Sequence, residues 1–256
     1  VPPLVLALSK HPLVEKYDVS SIRLISSGAA PLGQELEQAC ANRLDCQIYQ
    51  GYGLTEVAGA SHVNTIPVPT GKVGAVGRVV PNTYSKIIDT ESGQELGVNQ
   101  KGEVLIKGPH VMKGYLNNKD ATDHCIDEEG WFHTGDIGYA DEDGYFFIVD
   151  RVKELIKYKA YQVAPAELEA ILVAHEAIED AAVIPSPDEE AGEIPKGFVV
   201  LNQDISAETI MNFVAEQVAP HKKIRKIEIV DEIPKSASGK ILRRVLVEQE
   251  RSKIDQ

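Results

Sequence analysis

The spacing of apolar residues changes twice along the 256 residues of the chain. In the first stretch, IRLIS at 22–26 is apolar enough for a buried strand, which SGAAP at 27–31 ends. GQELEQACANRL follows, with Leu36, Ala39, Cys40 and Arg43-Leu44 at helical spacing, and CQIYQ at 46–50 reads as the next strand. This strand–helix–strand order predicts a βα-type sheet. From about residue 65 to 150 the texture is different. Turn signals at Pro81-Asn82, Ser92-Gly93, Lys101-Gly102 and Asp143-Gly144 separate short apolar runs such as SKIID, GEVLIKG and GYFFIVD. A small β-barrel-like unit or folded sheet is expected there. After Arg151 helical and strand patterns alternate again. APAELEAILVAH opens with Pro165 near a helix start, where the missing N–H costs little. DAAVIP and GFVVL read as strands, a helix follows Ser206, and IRKIEIVD leads into a last amphipathic helix written KILRRVLVEQERSK.

The pattern predicts an α/β plus α+β chain. Residues 1–150 would form one part of the chain and residues 151–256 a small α+β domain, with the boundary near 150–153. Composition narrows the partners. Apolar residues at 43% and charged residues at 25% are ordinary for a globular protein. A net charge of -13 argues against nucleic acid or an anionic membrane as partner, since both favour a basic surface. No apolar run approaches membrane-spanning length, and no secretory signal or peroxisomal C-terminal address is visible. Three cysteines, Cys40, Cys46 and Cys125, lack metal-ligand spacing and suit a reducing compartment, so an intracellular, cytoplasmic location is expected. A first residue of Val1 rather than Met suggests a fragment.

Four polar clusters carry candidate chemistry. QGYGLTE, Gln50 to Glu56, sets Gly51 and Gly53 around Tyr52. Glycines admit close backbone approach, an aromatic face can stack on a base, Thr55 can bond a phosphate oxygen, and Glu56 can hold Mg²⁺. The same residues also fit a glycine-rich turn with Tyr52 packed. WFHTGD places Asp136 where it could accept ribose hydroxyls, or merely cap its own turn. DRVKELIKYKAYQ gathers Arg151, Lys153, Lys157 and Lys159 in an otherwise acidic chain, for phosphate or for a solvated face. PKSASGK ends in Lys240 on a polar loop of Ser236, Ser238 and Gly239. It is not a Walker loop, because position 234 is Pro and Ile241 stands where Ser or Thr belongs. A lysine there is a point charge for an oxyanion, or a plain surface residue.

In this order and at these gaps, QGYGLTE, WFHTGD, DRVKELIKYKAYQVAPAELE and PKSASGKILRR resemble the adenylate-forming acyl-CoA synthetases, in the 4-coumarate–CoA ligase and beetle-luciferase branch. The resemblance runs over essentially the whole chain. It implies an enzyme that uses ATP, Mg²⁺ and coenzyme A to convert a small carboxylic acid first to an acyl-adenylate and then to a thioester. It further implies that Tyr52 stacks on adenine, that Gly51, Gly53 and Thr55 line the nucleotide, and that Glu56 helps to hold the metal. Asp136, assisted by Arg151, would grip the ribose. Gly28, Ala29 and Ala30 would line the junction of acyl and adenine pockets. The resemblance implies too that residues 1–150 are the later part of a large domain and that residues 151–256 are a mobile domain on a hinge near 150–153. Lys153 would sit at that hinge, Lys157 and Gln162 would serve thioester formation, and Lys240 would bridge the carboxylate and the α-phosphate. The family's N-terminal phosphate loop does not occur in these residues, so the chain alone is expected to be inactive. Relatives usually carry Gly at position 160, where this chain has Ala160. Two rivals remain at this point: an oxygenase of the luciferase kind, and a non-catalytic paralogue that binds nucleotide or a protein partner.

Overall fold

The computed structural model describes residues 1–69, 71–237 and 239–254. Ser238, one of the loop residues singled out above, lies outside the described residues. The chain divides into two compact units, Val1–Val152 and Lys153–Gln256.

The first unit opens with α1 (Pro2–Lys10), β1 (Leu24–Ser27), α2 (Gln34–Leu44), β2 (Gln47–Leu54), β3 (Gly59–Val63) and β4 (Arg78–Val79). β1 and β2 pair in parallel, with α2 as the crossover, and β3 and β4 add antiparallel strands to give the order β1-β2-β3-β4. Val5, Leu32, Cys40, Leu44 and Ile48 form the core beneath them. β1 begins at Leu24 rather than Ile22, because the Ile22 N–H is taken by a turn bond to the Val19 carbonyl. The β-rich stretch is a four-stranded antiparallel sheet of β5 (Tyr84–Ile88), β6 (Gly102–Lys107), β7 (Phe132–Ala140) and β8 (Phe146–Arg151), with α3 (Lys119–Cys125) between β6 and β7. An isolated bridge from Gly77 to Phe146 ties it to the segment before β4. Val104, Ile106, Phe132 and Phe146 fill its core.

The second unit holds β9 (Ile156–Tyr158), β10 (Tyr161–Val163), α4 (Pro165–Ala174), β11 (Ile178–Asp188), β12 (Gly192–Leu201), α5 (Ala207–Ala215), β13 (Lys226–Ile229) and α6 (Arg243–Ile254). Ala181 to Ile184 are continuously apolar because β11 is covered on both faces. Ala181 and Val183 face Leu168 and Leu172 of α4 and Ile210 and Val214 of α5. The alternate residues Ala182 and Ile184 pack with Phe198 of β12 and Leu246 of α6. α6 starts at Arg243, three residues later than the pattern suggests. Ile241 is bridged to Lys235, and the Leu242 N–H bonds the Pro234 carbonyl, so residues 240–242 close a loop instead of starting a helix.

A buried ion cluster pins α6 to the sheet. Lys196 of β12 is 7% exposed, and its Nζ reaches Glu250 Oε2 at 2.5 Å and Glu228 Oε2 at 2.8 Å. The other Glu250 oxygen accepts from the Ser186 hydroxyl at 2.9 Å. Burial alone would push the Glu250 carboxyl up, but the Lys196 and Ser186 donors outweigh it and hold the group below its usual 4.5. Burial would likewise lower Lys196, but its two carboxylate partners raise it above 10.5. A carboxyl with a depressed folded value stabilises above its unfolded value and loses that contribution as pH falls through the folded one. A raised lysine stabilises below its unfolded value and loses that contribution as pH climbs through the folded one. The cluster is therefore fully stabilising between those limits. Lys196→Met leaves Glu250 buried without its cation and should destabilise the second unit by about 3–5 kcal/mol. Urea unfolding at neutral pH checks this. The variant should also lose less stability than the parent on acidification, and an equal acid slope in the two would contradict the assignment.

Candidate functional site

β2 does not end at Gln50. It continues through Gly51, Tyr52 and Gly53 to Leu54, paired antiparallel with β3, so the glycine-rich motif is strand rather than turn. Gly53 is obligatory: a Cβ there would lie 1.7 Å from the Gly59 carbonyl oxygen. The chain then makes a single helical turn over Thr55–Val57, which presents Thr55 to solvent and leaves Glu56 half-buried.

The pairing of β7 with β8 sets Asp136 directly opposite Arg151. Arg151 Nε donates to Asp136 Oδ1 at 3.1 Å, and the Tyr52 hydroxyl donates to Asp136 Oδ2 at 2.5 Å. Asp136 is only 5% exposed, so a buried carboxylate is clamped between a phenol and a guanidinium that reaches solvent. Burial, and then the Asp136 charge, push the Tyr52 phenol well above its usual value, so it stays a donor. The turn alternative for Asp136 is reversed here. Thr134 Oγ1 accepts from the Asp136 N–H at 3.0 Å, and Glu103 Oε1 accepts from the Gly135 N–H at 2.9 Å. The carboxylate faces Tyr52 and Arg151. His62 packs beside Tyr52 and against Phe146, with ring centroids 5.7 and 4.4 Å away. Burial pushes its imidazole down to about 3, so it is a neutral packing group.

Gly28, Ala29 and Ala30 follow β1 directly. Ala29 has φ of 74°, a left-handed conformation that costs a non-glycine residue about 1–2 kcal/mol. The buried Gln50 amide helps to hold this corner, donating to the Leu32 carbonyl at 3.1 Å and to Glu37 Oε2 at 2.6 Å. Glu37 also accepts the Gly74 N–H, and burial raises its carboxyl despite these donors. Arg151, Lys153, Lys157 and Lys159 of the basic run are all exposed. Arg151 belongs to the first unit and Lys153 opens the second. Lys157 of β9 lies in register opposite Gln162 of β10, both exposed. Lys159 takes the positive φ of the β9–β10 turn, at 54°, so Ala160 carries no left-handed strain there. In the Lys240 loop, the Ser236 N–H bonds the Lys240 carbonyl, the Lys240 N–H bonds Ser236 Oγ at 3.1 Å, and the Gly239 N–H bonds the Ser236 carbonyl. Arg243, at the base of the loop, is held by Glu154 and by both oxygens of Glu169. The exposed Lys240 ammonium therefore rides on a closed, braced loop.

The structure thus brings Tyr52, Asp136 and Arg151 together in one unit, and Lys157 and Gln162 together in the other. The resemblance gave no place to Glu103 or Gln50, nor to Tyr115, whose hydroxyl donates to Glu56 Oε1 at 2.7 Å. A lone glutamate is a poor metal cage, and no group of three or more metal-ligating side chains occurs among the described residues. It does fit Mg²⁺ carried by nucleotide phosphates, which asks only one or two carboxylates of a protein.

Comparison with known proteins decides the family. Residues 1–116 match the AMP-binding enzyme model and residues 167–240 the AMP-binding enzyme C-terminal domain. A 4-coumarate–CoA ligase 1 of Glycine max is 51% identical, over 96% of this chain and 86% of its own length. The chain belongs to the AMP-binding enzyme family. A 4-coumarate–CoA ligase of Pinus taeda is 56% identical over 96% of the chain, and the chain spans 47% of that relative. Among solved structures, the anthranilate CoA ligase AuaEII in complex with anthranoyl-AMP superposes with a TM-score of 0.91 at 28% identity. It is matched by all of this chain and over 50% of its own length.

Proposed function

We propose that the chain supplies the nucleotide-gripping face and the lysine-bearing unit of an ATP-dependent acid–CoA ligase. The observation that carries this reading is the buried Asp136 carboxylate, fixed between the Tyr52 hydroxyl and Arg151. Carboxylates accept several donors, so ribose hydroxyls can join Tyr52 and Arg151 at Asp136. Arg151 adds a cation beside the sugar and phosphates, Tyr52 offers its ring to the base, and Thr55 offers an exposed hydroxyl to the α-phosphate. Mg²⁺ bound with the nucleotide would neutralise phosphate charge beside Glu56. Lys240 stabilises charge that grows on phosphorus as the acid's oxygen attacks and pyrophosphate leaves. Lys157 and Gln162, neighbours across a β-hairpin, serve the later step in which a thiol displaces AMP. Lys153 is the pivot, so that one chain presents Lys240 for the first step and the hairpin for the second. Gly28, Ala29 and Ala30 form part of the acyl pocket wall.

Because the relatives are named 4-coumarate–CoA ligases, aryl propenoates are the first acids to test. The assay is acid-dependent ATP–pyrophosphate exchange, run on the 256 residues alone and on the same residues completed by the amino-terminal half of the Pinus taeda relative. Little exchange is expected from the chain alone, since the Ser/Thr/Gly phosphate loop is absent from its sequence. Robust exchange with 4-coumarate is expected from the completed protein. A completed, folded protein inert toward every carboxylic acid in a broad panel would overturn the proposal.

A further inference from the structure

We propose that Tyr115 is a positioning residue for the metal-bearing carboxylate, holding Glu56 in the rotamer that offers its second oxygen to a nucleotide-bound divalent cation. The inference rests on the reading of Glu56 given above and adds a residue to it. Tyr115 lies 59 positions from Glu56, yet its hydroxyl donates to Oε1 at 2.7 Å. The segment around it is anchored for that purpose at two points. The Met112 N–H bonds the Glu56 carbonyl at 2.7 Å, so backbone and side chain of Glu56 are held by the same short segment. The Tyr115 N–H bonds Thr122 Oγ1 at 2.9 Å, and Thr122 Oγ1 donates in turn to the Asn118 carbonyl. Gly114 makes this approach possible. Its φ is 146°, and a Cβ there would lie 2.7 Å from the Thr122 methyl. Glu56 Oε2 takes no side-chain or backbone donor among the described residues.

A glutamate side chain on an open turn samples several rotamers, and fixing it before the metal arrives removes that entropy from the binding step. One oxygen is committed to the phenol and the other is left for the cation. The phenol donates without adding charge, so it orients the carboxylate while leaving its negative charge for the metal.

The test uses Mn²⁺·ATP as the probe, followed by water-proton relaxation, on the chain completed as above and on the 256 residues alone. Metal-free ATP in EDTA is the reference. Tyr115→Phe should weaken Mn²⁺·ATP binding about tenfold, the scale of one hydrogen bond to a charged acceptor, and leave metal-free ATP unchanged. The Mg²⁺ concentration for half-maximal exchange should rise by the same factor, with kcat at saturating metal kept. Tyr115 is 41% exposed, and the change removes one oxygen, so the fold is retained. Glu56→Asp, which keeps the charge and withdraws it from the hydroxyl, gives a second way of breaking the bond and should match Tyr115→Phe. Glu56→Gln should lose at least as much, and adding Tyr115→Phe to it should cost nothing further. Normal metal affinity in Tyr115→Phe beside a loss in Glu56→Gln overturns the positioning role and leaves the Glu56 reading intact. Normal affinity in both overturns the two together.

Discussion

Lys240→Ala in the completed protein should lower acyl-adenylate formation by about 10²–10³-fold, the usual effect of removing one preorganised donor from a developing oxyanion. Thioester formation from supplied acyl-adenylate should be nearly unchanged. The split follows from where the charge grows. Attack of the carboxylate places negative charge on a five-coordinate phosphorus, and a cation positioned there lowers the barrier. Displacement of AMP by a thiol builds its charge elsewhere. The bracing of the loop strengthens this expectation. With Ser236 holding both the N–H and the carbonyl of Lys240, and Arg243 fixed by Glu154 and Glu169, alanine removes the ammonium and keeps the loop. Single-turnover measurements of the two half-reactions decide the matter. Equal losses in both would remove Lys240 from its proposed place.

Asp136→Ala should raise the KM for ATP by at least about 10²-fold, since each hydrogen bond to a charged acceptor is worth about 1.5–3 kcal/mol and two ribose hydroxyls are lost at once. It also leaves the Tyr52 phenol without its acceptor in a buried setting, at a cost of about 1–3 kcal/mol in stability. The two effects separate cleanly. Tyr52→Phe removes the same phenol bond and leaves the carboxylate, so it should cost stability with a much smaller change in KM. If Asp136→Ala unfolds no more readily than the parent and keeps its KM, the clamp has neither role.

The parts of the fold governed by local pattern could be read from the sequence. Ala181, Ala182, Val183 and Ile184 are all apolar because β11 is buried on both faces, and the helix after Ser206 is announced by its cap, with Ser206 Oγ accepting from the Thr209 N–H. Where sequence and structure part company, a distant partner overrules local chemistry. Gly51 and Gly53 have the composition of a turn, yet antiparallel pairing with β3 draws them into a strand. Residues 240–242 have helical spacing, yet a bond back to Pro234 and the Lys235–Ile241 bridge hold them in a loop. The site divides in the same way. Tyr52, Asp136 and Arg151 stood out through their motifs, but the bond joining Tyr52 to Asp136 spans 84 positions and leaves no trace in spacing. Tyr115 and Glu103 contact Glu56 and the Gly135 N–H from far along the chain, and no short motif marks them.

The ion cluster beneath α6 has a practical corollary for anyone trimming or tagging this polypeptide. A handle appended after the last helix extends from a segment already locked at Glu250. Shortening the chain to residue 249 removes one of the two carboxylates paired with a sequestered ammonium and loosens the helix that closes one side of the lysine-bearing unit.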